Sequence, residues 1–413
     1  MANIIQQKRS VTPDAVPTTA ELTLGEFAVQ AADGKVFIKT TENTVINLLD
    51  YTIADGGEIT GAPDTPDNFS ATAYDGAVEL VWEEPASENE ITSYIVQYSS
   101  NAGATWTTFN TGASTNNTTA VTGLTNGTAY VFRVAAVNSA GTSAYTNIAG
   151  PFTPTAVESP VRGGLMKKDG DYVVHKFITN GTLSAGLFDK TIALLVIGGG
   201  GGGGGDYGGG GGGGEIKSVN LALTGPLHFG LGYAVTIGSG GLGGGPRNGV
   251  YATAGSGSSF TAVRPDDSLS PRYSLDTLGG GSGGQYDNRA GSSGASGGGG
   301  TSASTGSAGG NAIYPGISGY NGHAGTLAGG AGGGGGGGGP GGLPAGGAGI
   351  TLSITGSAVT YSAGGSGTDG TSNPKRGAPS RGAGGGGGKP MGRGGNGSSG
   401  VVVVRYVYPS PEY

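Results

Sequence analysis

Thr191-Ile-Ala-Leu-Leu-Val-Ile197 runs directly into eight glycines, Gly198 to Gly205. After Asp206-Tyr207 the glycines resume from Gly208 to Gly214, and Glu215-Ile-Lys-Ser-Val-Asn-Leu-Ala-Leu223 follows. Further runs span Gly332 to Gly339 and Gly384 to Gly388, and Gly400-Val-Val-Val-Val-Arg-Tyr-Val407 comes near the end. Ordering one residue's backbone costs roughly 1–2 kcal/mol, glycine loses the most freedom, and it has no side chain to bury in return. A glycine run is by default a flexible linker. The 94 Gly and 20 Pro in 413 residues lie near the level of aperiodic disordered chains. The ordered alternative is an extended helix with three residues per turn and about 3.1 Å rise. Bare backbones can then approach closely and pair N–H with C=O, each bond contributing about 0.5–1.5 kcal/mol net. A single helix of this kind melts, so a stack needs a rigid seed. Three runs hold eight, seven and eight residues, giving rods of roughly 22–25 Å. Linkers have no reason to match in length, and apolar strands at both ends supply the seed. Order is the expected state.

The strands around these runs read as a β domain over residues 160–408. Asp171-Tyr-Val-Val-His-Lys-Phe-Ile-Thr179 alternates, and Thr182 to Phe188 is its expected hairpin partner across an Asn180-Gly181 turn. Lys190 to Ile197 ends in a continuous apolar run, the mark of a strand covered on both faces. Residues 215–223 and 233–237 alternate, 350–354 and 358–361 form a hairpin, and 401–407 closes a set of roughly eight strands.

Upstream, residues 63–155 carry short alternating strands at regular spacing, the signature of a β-sandwich. Val78, Leu80 and Trp82 share a face, as do Tyr94, Val96 and Tyr98, and Tyr130, Phe132, Val134 and Ala136. Leu124 followed by Tyr130 fits a tyrosine corner. Residues 51–62 are rich in Gly and Asp and read as a linker. Residues 1–50 hold a small meander, Leu24 to Gln30, Lys35 to Lys39 and Asn43 to Leu48, with Asp33-Gly34 as a turn signal. A meander this small is marginal alone and needs copies or a partner surface. Residues 409–413 form a tail. The expected fold is all-β and multidomain: meander, sandwich, then a glycine-rich sandwich with polyglycine-helix loops packed above it.

Three resemblances follow from these motifs. Lys8-Arg-Ser10, Leu24-Gly-Glu-Phe-Ala-Val29 and Asp33-Gly-Lys-Val-Phe-Ile-Lys39 resemble the short N-terminal module of bacteriophage tail-fibre and related virion proteins. Pro63, Pro66, Trp82, Leu124 with Tyr130, and Val137-Asn-Ser-Ala-Gly141 resemble a fibronectin type III domain. Tyr172-Val-Val-His-Lys-Phe177, Thr355-Gly-Ser-Ala-Val-Thr-Tyr361 and Gly400 to Tyr406 resemble the glycine-rich domain of phage tail and adhesin proteins. These resemblances imply a virion fibre or receptor-binding adhesin. Residues 1–50 would dock to other virion proteins of the tail or baseplate. The middle domain would be a spacer. The glycine-rich domain would contact a host glycan or outer-membrane protein, and the assembly would be a homotrimer. A capsid decoration or head fibre without a specific receptor is the first alternative, and a surface glycan hydrolase the second.

Composition narrows the chemistry. Charged residues are 12% and the net charge is −7, which argues against a nucleic-acid partner. There is no cysteine, so thiolate metal sites and disulfides are out. His175, His228 and His323 lie far apart without carboxylates at ligand spacing, so no metal, no cofactor and no enzymatic activity are expected. The N-terminus has no apolar signal region, and no apolar run is long enough to span a bilayer. The expected location is the virion, after synthesis in the host cytoplasm. Specificity is expected from inserts between glycine runs, since glycine presents only backbone. Residues 246–251, 264–275, 285–289 and 311–323 mix aromatic and polar groups as binding loops do. Tyr286, Arg289, Tyr314, Tyr320, Asn321 and His323 are the candidate receptor-binding residues. The tyrosines supply stacking area, Arg289 and Asn321 hydrogen bonds, and His323 a donor.

Overall fold

The computed structural model describes residues 7–10, 27–30, 35–39, 45–47, 52–53, 59–85, 91–184, 190–223, 232–246, 249–263, 273–286, 290–302, 307–313, 319–326, 330–370, 376–379, 381–390 and 392–408. Among the described residues every regular element is a strand, and no helix is long and apolar enough to cross a membrane.

β1 (Gln7–Ser10), β2 (Phe27–Gln30), β3 (Lys35–Lys39) and β4 (Val45–Asn47) form one sheet in that order. The last three are the expected meander. β1 joins it in parallel, with Gln7 opposite Phe27. The Asp33-Gly34 turn lies outside the described residues. β5 (Thr52–Ile53) pairs with β6 (Ile59–Thr60) inside the stretch read as linker.

The middle sandwich holds β7 (Asp67–Tyr74), β8 (Ala77–Glu83), β9 (Ser93–Ser99), β10 (Thr107–Phe109), β11 (Thr118–Thr122), β12 (Tyr130–Asn138), β13 (Gly141–Thr142) and β14 (Ala149–Phe152). One sheet is ordered β11-β8-β7. The other is β10-β9-β12-β13, with β14 also on β12. Alternation fills the space between them: Val78, Leu80 and Trp82 meet Tyr94, Val96, Phe132, Val134 and Ala136. The corner is present, with Thr125 N–H donating to Tyr130 Oη at 3.2 Å.

The glycine-rich domain holds β15 (Leu165–Asp169), β16 (Tyr172–Phe177), β17 (Gly181–Ser184), β18 (Lys190–Ile197), β19 (Ile216–Leu223), β20 (Gly232–Thr236), β21 (Ser259–Val263), β22 (Ser274–Asp276), β23 (Ile350–Leu352), β24 (Val359–Tyr361) and β25 (Val401–Val407). A sheet ordered β15-β16-β25-β18-β19 faces a sheet ordered β17-β20-β21-β22. Ile192, Leu194 and Val196 of β18, with Val402, Val404 and Tyr406 of β25, pack against Tyr233, Val235 and Phe260 of the facing sheet. The opposite face of the same strands, Leu195, Ile197, Val401 and Val403, lies under the β23–β24 hairpin around Tyr361. Burial on both faces explains the unbroken apolar runs of β18 and β25.

One strand pairing differs from expectation. Of the expected partner 182–188, the described residues 182–184 do not pair with β16; they belong to β17, which pairs with β20 in the facing sheet. The hairpin partner of β16 is β15, across Gly170-Asp171, with Asp169 opposite Tyr172 and Gly170 at φ 57°. Leu183 and Phe177 share one core from opposite sheets. That burial is available only if the chain crosses over at residues 178–180. β15, β21 and β22 also raise the strand number above the expected eight.

The two sandwiches are joined firmly. Glu79, 2% exposed, accepts from Lys176 Nζ at 2.6 and 2.8 Å and from Tyr74 Oη at 3.0 Å. Asp75 N–H donates to Met166 O at 2.8 Å. Tyr74 and Ala77 pack on Leu165.

Candidate functional site

β18 and β19 end on the pair Ile197–Ile216, yet the hairpin continues. Gly198 N–H donates to Glu215 O at 3.0 Å, Gly201 to Gly212 at 2.8 Å and Gly204 to Gly209 at 2.8 Å. The glycine runs are therefore two antiparallel extended helices springing from two paired strands. Asp206 and Tyr207 close the hairpin with φ of 44° and 59°.

Contacts along the first run repeat every third residue, as three residues per turn requires. Gly199 and Gly202 donate to Ser256 and Thr253, while Gly200 and Gly203 donate to Ser398 and Gly395. Its carbonyls accept in the same rhythm, from Gly241 and Gly244, from Gly280 and Gly283, and from Gly385 and Gly388. Among the described residues six segments thus ring this helix: 209–215, 250–256 and 392–398 antiparallel, 239–245, 278–284 and 382–388 parallel. The run Gly208 to Gly214 is enclosed in the same way, by segments that include 296–299, 332–335 and 365–368. Spacing is so close that a Cβ on Gly202 would overlap the Leu242 carbonyl, and one on Gly211 the Gly201 carbonyl. Only glycine fits these positions.

This packing decides where side chains are allowed. The three parallel segments end at the same level as Asp206, and residues 250 and 392 begin the return. The far end is therefore built from the turn at 206–207 and, among the described residues, from 245–246 with 249–250, 285–286 with 290, and 389–390 with 392. Val250, Tyr251 and Tyr286 are exposed there, at 45%, 42% and 41%. Tyr207 packs against Tyr286 with ring centroids 6.3 Å apart. Gln285 is buried and ties the turns together, its Nε2 donating to Gly245 O at 2.9 Å and Val250 O at 3.0 Å. Tyr207 O accepts from Ser302 N–H at 3.1 Å and Thr301 Oγ1 at 2.8 Å.

Of the candidate residues, Tyr286 stands at this far end. Arg289 and Tyr314 lie outside the described residues. Tyr320, Asn321 and His323 sit on a flanking segment: Gly297 N–H donates to Tyr320 O at 3.0 Å and Gly300 N–H to His323 O at 2.8 Å. Asn321 and His323 are exposed and Tyr320 half-buried. Asn321 Oδ1 accepts from Ala312 N–H at 2.8 Å, and His323 Nδ1 lies 2.6 Å from Ala324 O. Ala312 and Gly319, which bracket Tyr314, lie level with Gly294 to Ser296, toward the sheets rather than the far end. The structure thus separates Tyr286 from the 320–323 group. Tyr207 belongs with Tyr286 and was not among the candidates; its signal in the sequence is the break between two glycine runs. Of the insert 264–275, residues 264–272 lie outside the described residues, and Ser274 and Leu275 belong to β22, which pairs with β21.

Among the described residues no group of three or more His, Asp or Glu is placed to hold a metal. His175 is fully buried, its Nδ1 2.7 Å from Gly163 O and its Nε2 3.0 Å from Tyr406 Oη, which in turn lies 2.6 Å from Ser159 Oγ. Burial lowers its pKa to about 4, keeping the ring neutral.

The family model described as "Glycine-rich domain" matches residues 178–407, and that described as "Fibronectin type III domain" matches residues 64–149. No curated protein matches. Among solved structures, the chain is similar to domains A168-A170 from titin, at 29% identity over 24% of this chain and 34% of that one, with a TM-score of 0.22. It is also similar to the twitchin kinase region from C. elegans, at 26% identity over 27% and 18%, with a TM-score of 0.23. The chain thus spans 34% and 18% of these two structures.

Proposed function

This chain belongs to the glycine-rich domain family, and from that premise we propose that it is a phage virion protein, a fibre or adhesin that recognises the host surface through the far end of its glycine bundle. The observation that carries this reading is the division of labour within the bundle. Backbone alone fills the shaft, and exposed Val250, Tyr251 and Tyr286 cluster where the chain turns, with the half-buried Tyr207 packed against Tyr286. A stiff shaft with a small aromatic end suits attachment, because interface energy concentrates in a few aromatic anchors. Residues 1–50 attach the protein to the particle, in a homotrimer, and the partner is a host glycan or outer-membrane protein. The test is binding of purified protein to intact host cells. Replacing Tyr251 and Tyr286 by Ala should weaken binding at least about tenfold, or ~1.4 kcal/mol, with the melting temperature within a few degrees of the parent. Unchanged binding by the folded double variant would overturn the reading.

A further inference from the structure

Between the fibronectin type III domain and the glycine bundle lies a cleft of about 400 Å³. That is within the range of small-molecule sites, roughly 300–1,000 Å³. Its walls are held at fixed spacing. On one side the domains are joined by the Glu79–Lys176 pair. On the other, Arg376 reaches across, its Nη1 donating to Thr115 O and its Nη2 to Asn116 Oδ1 at 3.2 Å, with Glu84 at 3.6 Å. The cleft is therefore preformed rather than opened by a ligand.

Its lining is chemically divided. The fibronectin wall presents Asp67, Glu83 and Glu84, and the bundle wall presents Arg376 and Arg381. Asp67 and Glu83 stand directly opposite each other on β7 and β8. Like charges so placed are destabilising. Immediately after Asp67 the ladder slips, and Asn68 takes φ 49°, a left-handed conformation that Asn adopts more readily than most residues. Bulges commonly re-aim side chains beside binding sites. The Arg376 side chain is 7% exposed, and its Nε–H is buried with no hydrogen-bond partner in the protein. A buried donor left unmet is costly. A register shift, two facing carboxylates and a buried guanidinium thus meet at one cavity.

The ligand must offer hydrogen-bond donors to one wall and acceptors to the other. Three carboxylates against two guanidiniums leave a formal charge of −1, which does not suit an anion. The carboxylates are not grouped to hold a metal. A molecule dense in hydroxyls meets both walls at once. We propose that this cleft binds one or two sugar rings of a glycan, at a site separate from the far end of the bundle.

The test is saturation-transfer NMR on the full chain with glucose, galactose, N-acetylglucosamine, maltose and lactose. At least one should receive saturation from the parent protein. Ser70→Trp, which fills the cleft from an exposed position on β7, should abolish that signal, and so should Arg381→Ala, which removes one of the two guanidiniums of the donor wall without adding bulk. Tyr286→Ala should retain it, which keeps this result independent of cell binding through the far end. The proposal is overturned if none of the five sugars binds the parent protein, or if binding survives in a folded Ser70→Trp or Arg381→Ala variant.

Discussion

Phe132 in the fibronectin type III domain and Gly202 in the bundle are both buried, by opposite means. Phe132 is enclosed by side chains of two sheets, in a core that includes Leu80 of β8 and Val96 of β9. Its burial is worth about 1.5–3 kcal/mol. Gly202 is enclosed by backbone alone, its N–H on Thr253 and its carbonyl taking a bond from Gly283. Each such bond is shared by two residues and contributes about 0.5–1.5 kcal/mol net, against an ordering cost of about 1–2 kcal/mol per residue. At central values the hydrogen bonds alone fall short of that cost by about 0.5 kcal/mol per residue. Dispersion between closely approaching backbones must supply the remainder. It does so only while every neighbour is in place. The sandwich tolerates small changes of shape in its core, whereas the bundle tolerates none where a glycine is ringed by backbone on every side.

Substitution at Gly202 exposes that difference most strongly. Gly202→Ala puts a Cβ into the Leu242 carbonyl and the Gly243 nitrogen. These are backbone atoms that cannot swing aside, so a loss above about 4 kcal/mol is expected. Gly339→Ala, whose nearest neighbour would be Ala348 N at 3.6 Å, should change stability by less than about 0.5 kcal/mol. Both tryptophans, Trp82 and Trp106, lie in the fibronectin domain. Tryptophan fluorescence therefore follows that domain while calorimetry follows the whole chain. Equal stability of the two variants would break the comparison.

Acid should separate the domains next. In the glycine-rich domain the buried His175 has its pKa lowered to about 4. The unfolded chain takes up this proton near pH 6.5, before the folded chain does. Stability is full above about pH 6.5 and falls as pH drops toward 4, by at most about 3 kcal/mol. No histidine occurs in residues 63–155, so this dependence belongs to the glycine-rich domain. Denaturant titrations between pH 7 and 4 measure it. The same slope in His175→Gln would remove His175 as its cause.

The smallest effect lies in the sandwich. Tyr130→Phe removes the acceptor of Thr125 N–H and should cost about 1 kcal/mol, seen by tryptophan fluorescence. A change that also weakened the bundle would show the two domains to be energetically coupled through Glu79 and Lys176.

Much of this was legible in the chain. Alternation placed the core faces of the middle sandwich. Continuous apolar runs marked β18 and β25 as strands covered on both sides, and matched glycine runs pointed to order. Pairing was less legible: Asn180-Gly181 is a good turn dipeptide, but Leu183 gains more by facing Phe177 across the sandwich than by lying beside β16. Gln7–Ser10 carries no apolar pattern, so its joining β2 left no trace in the sequence. Position along the bundle was not legible at all. Whether a segment runs toward the turns or toward the sheets depends on its neighbours, so Tyr320 and His323 lie on a flank while Tyr286 reaches the end.

The central claim is that the glycine runs form an ordered solid made of backbone. Hydrogen exchange resolved at Gly198 to Gly204 and Gly208 to Gly214 tests it most directly, because each of these amides donates to a neighbouring segment. The account predicts protection comparable to that of the amides of β18, from which the first run springs. Exchange of these glycines at the unprotected rate, with β18 still protected, would contradict it.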